Sequence, residues 1–333
     1  MALTYYRVGK YREALSVQEP LVETAKKVQG EKHLDTLVWT SNLALTYSKL
    51  GKHHEAFQLQ EPLLETSKQV LGKDHPSTLK STTNLSLTYN DLGEHQEALN
   101  LQEPLLETSK RVLGVEHPDT LRCMNNLSVT YRNLGNITKA LRLQETLPEV
   151  SSRILGGRHP DTLQSIKVLA TIYQDLGKYD EACLLQEPLV ENSKHVQGQA
   201  HPDTLSMQND LALTYLSQGQ EIEALQLQKC LVETSNRVLG IEHFNTMLYT
   251  SVLVKIYISL KRWEEAKSIC NNLLAVTKQA LGDGHPINMS CIEMLQQMEN
   301  PPQNSSTFKA MLCWIVLLAL GLIICVMLGN IQG

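Results

Sequence analysis

His-Pro-Asp-Thr-Leu, or a close variant, begins at His33, His75, His117, His159, His201, His243 and His285, each 42 residues after the last. A fixed period of this size leaves one class of solution: a unit too small to close its own core, stacked on copies of itself. The unit reads HPDTLxxxxNLALTYxxLGxxxEALxLQEPLLETSKxVLGxE. Two apolar-periodic stretches separated by a glycine predict two helices per unit, A and B, and an all-α chain.

Local chemistry agrees with that division. Pro76, Pro118, Pro160 and Pro202 suit the first turn of helix A, with acidic or small polar neighbours at the positive end of its dipole. Leu79, Leu121, Leu163 and Leu205 open an apolar stripe, and Gly51, Gly93, Gly135, Gly177 and Gly219 stop the helix. In helix B, alanine holds one slot (Ala56, Ala98, Ala140, Ala182, Ala224, Ala266), which lets two helix backbones approach closely. Gly72, Gly114, Gly198 and their equivalents are expected to end helix B as left-handed C-caps. Seven of the eleven tyrosines share a slot from Tyr5 to Tyr257, so they are packing elements and not ligand stackers.

Helix B breaks a rule. Pro20, Pro62, Pro104 and Pro188 fall in its interior, where a proline costs about 3 kcal/mol. The same slot holds Thr146, Cys230 and Asn272 elsewhere, so the segment reads as a helix with an optional kink. The carbonyls freed four residues earlier, on Ser16, Gln58, Asn100 and Leu184, point outward, where water satisfies them. Two residues before the proline slot stands a glutamine (Gln18, Gln60, Gln102, Gln144, Gln186, Gln228) that projects near the buried stripe. Each of these amides is expected to bond backbone, of a neighbouring repeat or of the kinked helix.

The NLALTYxxLGxxxEAL core resembles the tetratricopeptide repeat in its 42-residue, kinesin-light-chain-like form. Through the phrases HPDTL, LGxxxEA and RVLGxEHPDTL it is more similar still to the arrays of fungal NOD-like (NB-ARC or NACHT) proteins. The resemblance runs from residue 1 to about 298. It implies a right-handed α-solenoid of helix pairs whose concave face, lined by A helices, binds peptides or proteins. No heptad coiled coil precedes the array, and no GxxxxGK[ST] occurs, so the motor-binding region of a kinesin light chain and the ATPase of a NOD-like receptor are both missing.

Chemistry is otherwise sparse. A net charge of −5 and 5% aromatics argue against nucleic acid. The seven cysteines contain no CxxC pair, which suits a reducing compartment and offers no metal site. Stacking spaces the repeat histidines one per unit, too far apart to share an ion, and adjacent His53 and His54 are poorly placed to chelate. No Ser-His-Asp set, HExxH or Gly-rich phosphate loop is visible, so the expectation is a non-enzymatic chain with no cofactor, no metal and no small-molecule substrate.

The groove is therefore the candidate site. Counting the repeat histidine as 1, a 3.6-residue period places slots 6, 9, 13, 16 and 17 of helix A on the inner face. They and the neighbouring slot 10 supply Lys80, Asn84, Arg122, Asn125, Asn126, Arg132, Asn133, Lys167 and Asn209, with Asp91 and Asp175 as acidic exceptions. Amides and cations along a groove suit an extended, acidic peptide. Lys80, Asn84 and Asn126 resemble the carboxylate clamp that some tetratricopeptide domains use on chaperone tails, but Gln164 and Val168 stand where that clamp needs cations. Leu213, Leu216, Leu248 and Ile258 make the far end apolar, either as a grip for a hydrophobic partner or as extra core.

The expected organisation is an array over 1–298, with a partial first repeat, six full repeats and a closing A helix near 286–298. "MALTY" matches "LALTY" at 43–47, so the first repeat lacks its opening turns. A polar linker (299–309) precedes AMLCWIVLLALGLIICVML (310–328), 19 residues without a charge, about 28 Å of helix against a hydrocarbon core of about 30 Å. This predicts a transmembrane tail anchor with the array facing the cytosol, and Lys309 on the array side agrees. The combined expectation is an interaction scaffold held at a membrane. The alternative is a fragment of a larger NOD-like or signalling receptor in which the array is a sensor arm.

Overall fold

The computed structural model describes residues 2–7, 10–282 and 284–299, which are helical throughout, without strands. They divide between Leu155 and Gly156 into two compact units. The first contains α1 (Ala2–Arg7), α2 (Tyr11–Val28), α3 (Leu34–Lys49), α4 (His53–Leu71), α5 (Pro76–Asp91), α6 (His95–Leu113), α7 (Pro118–Asn133), α8 (Ile137–Gln144) and α9 (Leu147–Leu155). The second contains α10 (Pro160–Asp175), α11 (Tyr179–Gln197), α12 (Pro202–Ser217), α13 (Glu221–Val238), α14 (Phe244–Ser259), α15 (Trp263–Leu281) and α16 (Pro286–Glu299). Glu299, the first residue of the expected linker, ends α16; the rest of the linker and the apolar run at 310–328 lie outside the described residues, and no helix among those described is long and apolar enough to cross a membrane.

Every A helix from α3 onward starts on a histidine cap. The ring Nδ1 of His33, His75, His117, His159, His201, His243 and His285 accepts the backbone N–H two residues on, at 3.1–3.2 Å. Histidine here does the work of the usual Asn, Asp or Ser cap, and accepting at Nδ1 places the ring proton on Nε2. The repeat's most visible residue is thus spent on helix initiation.

The glycines differ from expectation at one end. Those that end helix A have φ of +70° to +78°, and Lys261 takes the slot once, at φ +58°. Those that end helix B are not left-handed caps: Gly72 (φ 90°, ψ 157°), Gly114 (99°, 158°) and Gly198 (95°, 156°) occupy the region open only to glycine. The extended ψ straightens the chain as it leaves helix B, whereas a left-handed cap would curl it.

Within a pair, helices meet at the alanine slot; Ala14, Ala56, Ala98, Ala140, Ala182, Ala224 and Ala266 are all 0% exposed. Between pairs, the slot tyrosine reaches back to helix B of the preceding repeat. Tyr47 Oη donates to Glu19 at 2.5 Å, Tyr215 Oη to Glu187 at 2.8 Å, and Tyr131 Oη to Glu103. Where that carboxylate is replaced by Lys229, the ammonium sits 5.5 Å over the ring of Tyr257 instead.

Helices α2, α4, α6 and α11 run unbroken through Pro20, Pro62, Pro104 and Pro188. The residues whose carbonyls are freed are exposed in all four cases. In the third repeat the proline is displaced by two residues, to Pro148, and helix B splits into α8 and α9. Two residues turn the ring about 200° around the axis. Its clash then falls on the carbonyl of Gln144, which is 0% exposed, so the helix stops at Glu145–Thr146 and restarts.

All six glutamines are buried, 0–4% exposed. Their partners are mainly side chains, which corrects the expectation of backbone acceptors. Gln102 donates to Ser86 Oγ (3.2 Å) on its own A helix and accepts from Thr130 Oγ1 (2.6 Å) on the next, so one amide clasps three helices. Gln186 accepts likewise from Thr214 (2.6 Å). Gln144 accepts from Ser128 and donates to Asn125, while Gln228 donates to Asn209 and to the backbone carbonyl of Tyr249. Gln60 stands opposite Ala44 in place of the serine, and neither atom of its amide has a partner.

Candidate functional site

In each unit, A helices of consecutive repeats touch directly, α3 on α5 and α5 on α7 in the first, α12 on α14 and α14 on α16 in the second. B helices approach one another less closely, so the A helices line the inner side of each unit's curve. Slots 9 and 16 of helix A are largely taken up by these contacts. Asn84 Nδ2 donates to Ser41 at 3.4 Å and Asn90 Nδ2 to Thr130 at 2.7 Å. In the second unit, Gln174 donates to Thr214 (2.6 Å), while Lys167 donates to Ser206 (2.9 Å) and pairs with Asp210 (3.4 Å).

The nine expected site residues therefore separate by role. Asn125 (8% exposed) and Asn209 (2%) are core residues that accept from Gln144 and Gln228. Asn84 and Lys167 join neighbouring A helices. Arg132 is half-buried and engaged within the structure, and Asn133 is half-buried. Lys80 is exposed and outside any ion pair among the described residues, and Arg122 is exposed with Asp119 as its ion-pair partner on the preceding turn. Lys167 and Asn209 belong to the second unit, and the other seven to the first.

What remains accessible in the first unit is a stripe along α7. Arg122, Asn126, Val129 and Asn133 follow at intervals of four, three and four residues and so share one face. Asn126 Nδ2 is buried without an acceptor among the described residues. On α3 and α5, Val38 (52% exposed) and Leu87 (36%) add apolar surface at slots 6 and 13. Sequence reading had marked those slots without naming these residues, although their apolar character was visible there. Glu19, Glu23 and Glu55, together with Lys26, border a hollow of about 570 Å³ between α2, α3 and α4.

The second unit differs. Leu213, Leu216 and Ile258 are 4%, 6% and 1% exposed and belong to the core, whereas Leu248 is half-buried. Among the described residues no group of acidic, histidine and cysteine side chains has metal-binding geometry. His53 Nδ1 instead lies 3.4 Å from Asp91 on the next A helix.

Comparison with known proteins agrees with this architecture. Family models described as tetratricopeptide repeat match residues 1–61, 37–103, 81–147, 130–187 and 162–237, and a further one matches 246–287. No curated protein matches the sequence. Among solved structures, a kinesin light chain-like protein of Podosopora anserina with nearly identical TPR-like repeats is similar at 30% identity and TM-score 0.51, covering 62% of this chain and 97% of its own. BtubC of P. vanneervenii shares the fold at 17% identity and TM-score 0.50, covering 76% and 96%. RapI does so at 12% and 0.60, covering 89% and 96%. Family models thus span most of the array, and the chain belongs to the tetratricopeptide repeat family.

Proposed function

We propose that this chain is a non-enzymatic interaction scaffold that holds an extended, acidic peptide against the A helices of its first unit. Proteins of this repeat family are generally interaction scaffolds, and a Rap protein of the same fold, 11% identical, has been solved in complex with Competence and Sporulation Factor. The observation that carries the reading is the accessible edge formed by Lys80 and Arg122, exposed at one slot of consecutive A helices beside exposed Val38 and Leu87. A carboxylate of the peptide would meet Arg122 or Lys80, and the half-buried side chains of Asn126 and Asn133 would border its backbone. Val38, Leu87 and Val129 offer apolar contact, and Arg132 and Asn133 continue the polar edge. Asn84 and Asn125 support this role from within the first unit's stack, while Lys167 and Asn209 lie in the second unit.

The apolar run at 310–328 supports a second part of the reading: a tail anchor that keeps the array at a cytosolic membrane surface. The shared phrases HPDTL and RVLGxEHPDTL support kinship with the arrays of fungal NOD-like proteins. Two experiments test the function. A displayed peptide library panned on the protein should enrich Asp and Glu, and K80E with R122E should abolish that enrichment; a charge-neutral consensus, or one indifferent to both substitutions, refutes the groove. A fluorescent reporter carrying residues 299–333 should reach an organelle membrane; diffuse signal refutes the anchor.

A further inference from the structure

The seventh B helix breaks the glutamine series. The slot filled by Gln18, Gln60, Gln102, Gln144, Gln186 and Gln228 becomes Cys270 in α15. The residue it meets on the next A helix is also a cysteine, Cys291 in α16. One repeat earlier the same two slots are Gln228 and Tyr249, where the amide donates to the Tyr249 carbonyl at 2.8 Å. Cys270 Sγ makes the equivalent contact, donating to the Cys291 carbonyl at 3.4 Å, which brings the two cysteines together across the junction. Both are 0% exposed. An amide clasp has thus been exchanged for a dithiol at the one junction where the array ends its described stack.

A third residue completes the cluster. Lys255 of α14 is 3% exposed in a slot that otherwise holds Leu45, Leu87, Val129, Thr171 and Leu213. Burial pushes its ammonium down to about 8, against the opposing influence of Cys291 and Glu293. The adjacent Cys270 thiol, and to a lesser extent the Lys255 charge, favour the Cys291 thiolate against the effect of burial and hold that group below its usual range, whereas Cys270 is raised. The two sulfurs are thereby differentiated into an attacking and a resolving thiol.

We propose that Cys270 and Cys291 form a reversible redox staple that a hydroperoxide closes into a disulfide, fastening α16 covalently to α15. The Cys291 thiolate attacks one peroxide oxygen, the O–O bond breaks, and the other oxygen leaves as water or an alcohol after taking up a proton. Cys291 is then a sulfenic acid. The Cys270 sulfur attacks it, the S–O bond breaks, and the hydroxide leaves as water with the Cys270 proton. Two thiols lose two electrons and one peroxide gains them. Access comes from local opening of α16, which packs on α15 and α14 as the last helix described. A thiol reductant restores the dithiol.

The test uses the full chain in detergent with hydrogen peroxide and no reductant. Tryptic peptides 268–278 and 279–309 each contain one cysteine, and the expected product is their linked pair, lighter than the sum by two hydrogens and separated by dithiothreitol. C270Q, which restores the amide of the other repeats, should fold, give no link and leave Cys291 as a dimedone-reactive sulfenic acid. In K255M the pH at which Cys291 reacts half-maximally should move upward, slowing oxidation at pH 7 at least tenfold. Peroxide that leaves both thiols reduced, carries Cys291 to sulfinic acid unlinked, or links Cys230 instead overturns the staple. An unmoved pH profile in K255M overturns the part given to the lysine.

Discussion

Gln60 and Gln102 occupy one slot in consecutive repeats, both 2% exposed, and the neighbour at one end of each amide differs by a single hydroxyl. Gln102 donates to Ser86 and accepts from Thr130, two neutral bonds worth about 1 kcal/mol each. Leucine at 102 would lose both but orphan neither hydroxyl, since Ser86 keeps the Thr83 carbonyl (2.8 Å) and Thr130 the Asn126 carbonyl (3.1 Å). Added apolar burial offsets part of the loss, so Q102L should destabilise by about 1 kcal/mol. At 60 the balance reverses. Ala44 offers no hydroxyl and both amide atoms are unpartnered, each at a desolvation cost of about 1–3 kcal/mol. Q60L removes that cost, and allowing for a branched side chain in a slot shaped for a linear one, it should stabilise by about 2 kcal/mol.

The same substitution, 42 residues apart, is thus expected to act with opposite sign across a gap of about 3 kcal/mol. Native-state hydrogen exchange in α4 and α6 is the suitable assay, because a repeat array need not unfold as one unit and a global midpoint would blur the two sites. Slower exchange in α4 for Q60L and faster exchange in α6 for Q102L is the expected pair. If Q60L speeds exchange as Q102L does, the amide of Gln60 has a partner, and the reading of this slot as a hydroxyl-dependent clasp fails.

Other outcomes follow from the backbone and the caps. Gly114 has open space where a Cβ would stand, so G114A is expected to cost about 1–3 kcal/mol by backbone strain alone, read as a lower urea midpoint. Lys261, at φ +58° in a slot otherwise held by glycine, is the converse: K261G should gain up to about 1 kcal/mol in the same measurement. Burial lowers the affinity of His243 and His285 for protons, so the unfolded chain binds more protons than the fold once pH falls through the ordinary histidine range near about 6.5. Stability of the second unit should therefore be intact above that range and decline below it. H243N, which keeps an N-cap acceptor, should flatten part of the decline in urea melts at pH 7.5 and 5.5.

Period made most of the fold legible. A slot that recurs sees nearly the same surroundings each time, so the histidine cap, the alanine contact, the tyrosine slot and the outward-facing proline all follow from one unit. What escaped depends on departures from the unit. Pro148 breaks a helix that Pro104 does not, because two residues decide whether the freed carbonyl faces water or core. The conformation of the glycines ending helix B depends on ψ, which composition does not reveal. The site was legible as a face but not residue by residue, since a helical wheel marks what points inward without saying what the next helix takes up. Lys167 and Asn84 project as expected and are consumed by their neighbours.

Part of that consumption was nonetheless written in the chain. Slot 14 of helix A is Thr46, Thr88, Thr130 and Thr214, but Ile172 and Ile256 in two repeats. Slot 9 holds asparagine in Asn125 and Asn209, each one repeat before an isoleucine, while Ser41, Thr83 and Lys167 precede a threonine. The second unit shows the physical link. Where Thr214 supplies a hydroxyl, Gln186 accepts from it; where Ile256 supplies none, Gln228 turns to Asn209 on its own A helix. A buried amide must find a partner, so loss of a hydroxyl at one slot is met by an amide at another. Asn125 and Asn209 are tied by this exchange to the core, each accepting from the buried glutamine of its own repeat.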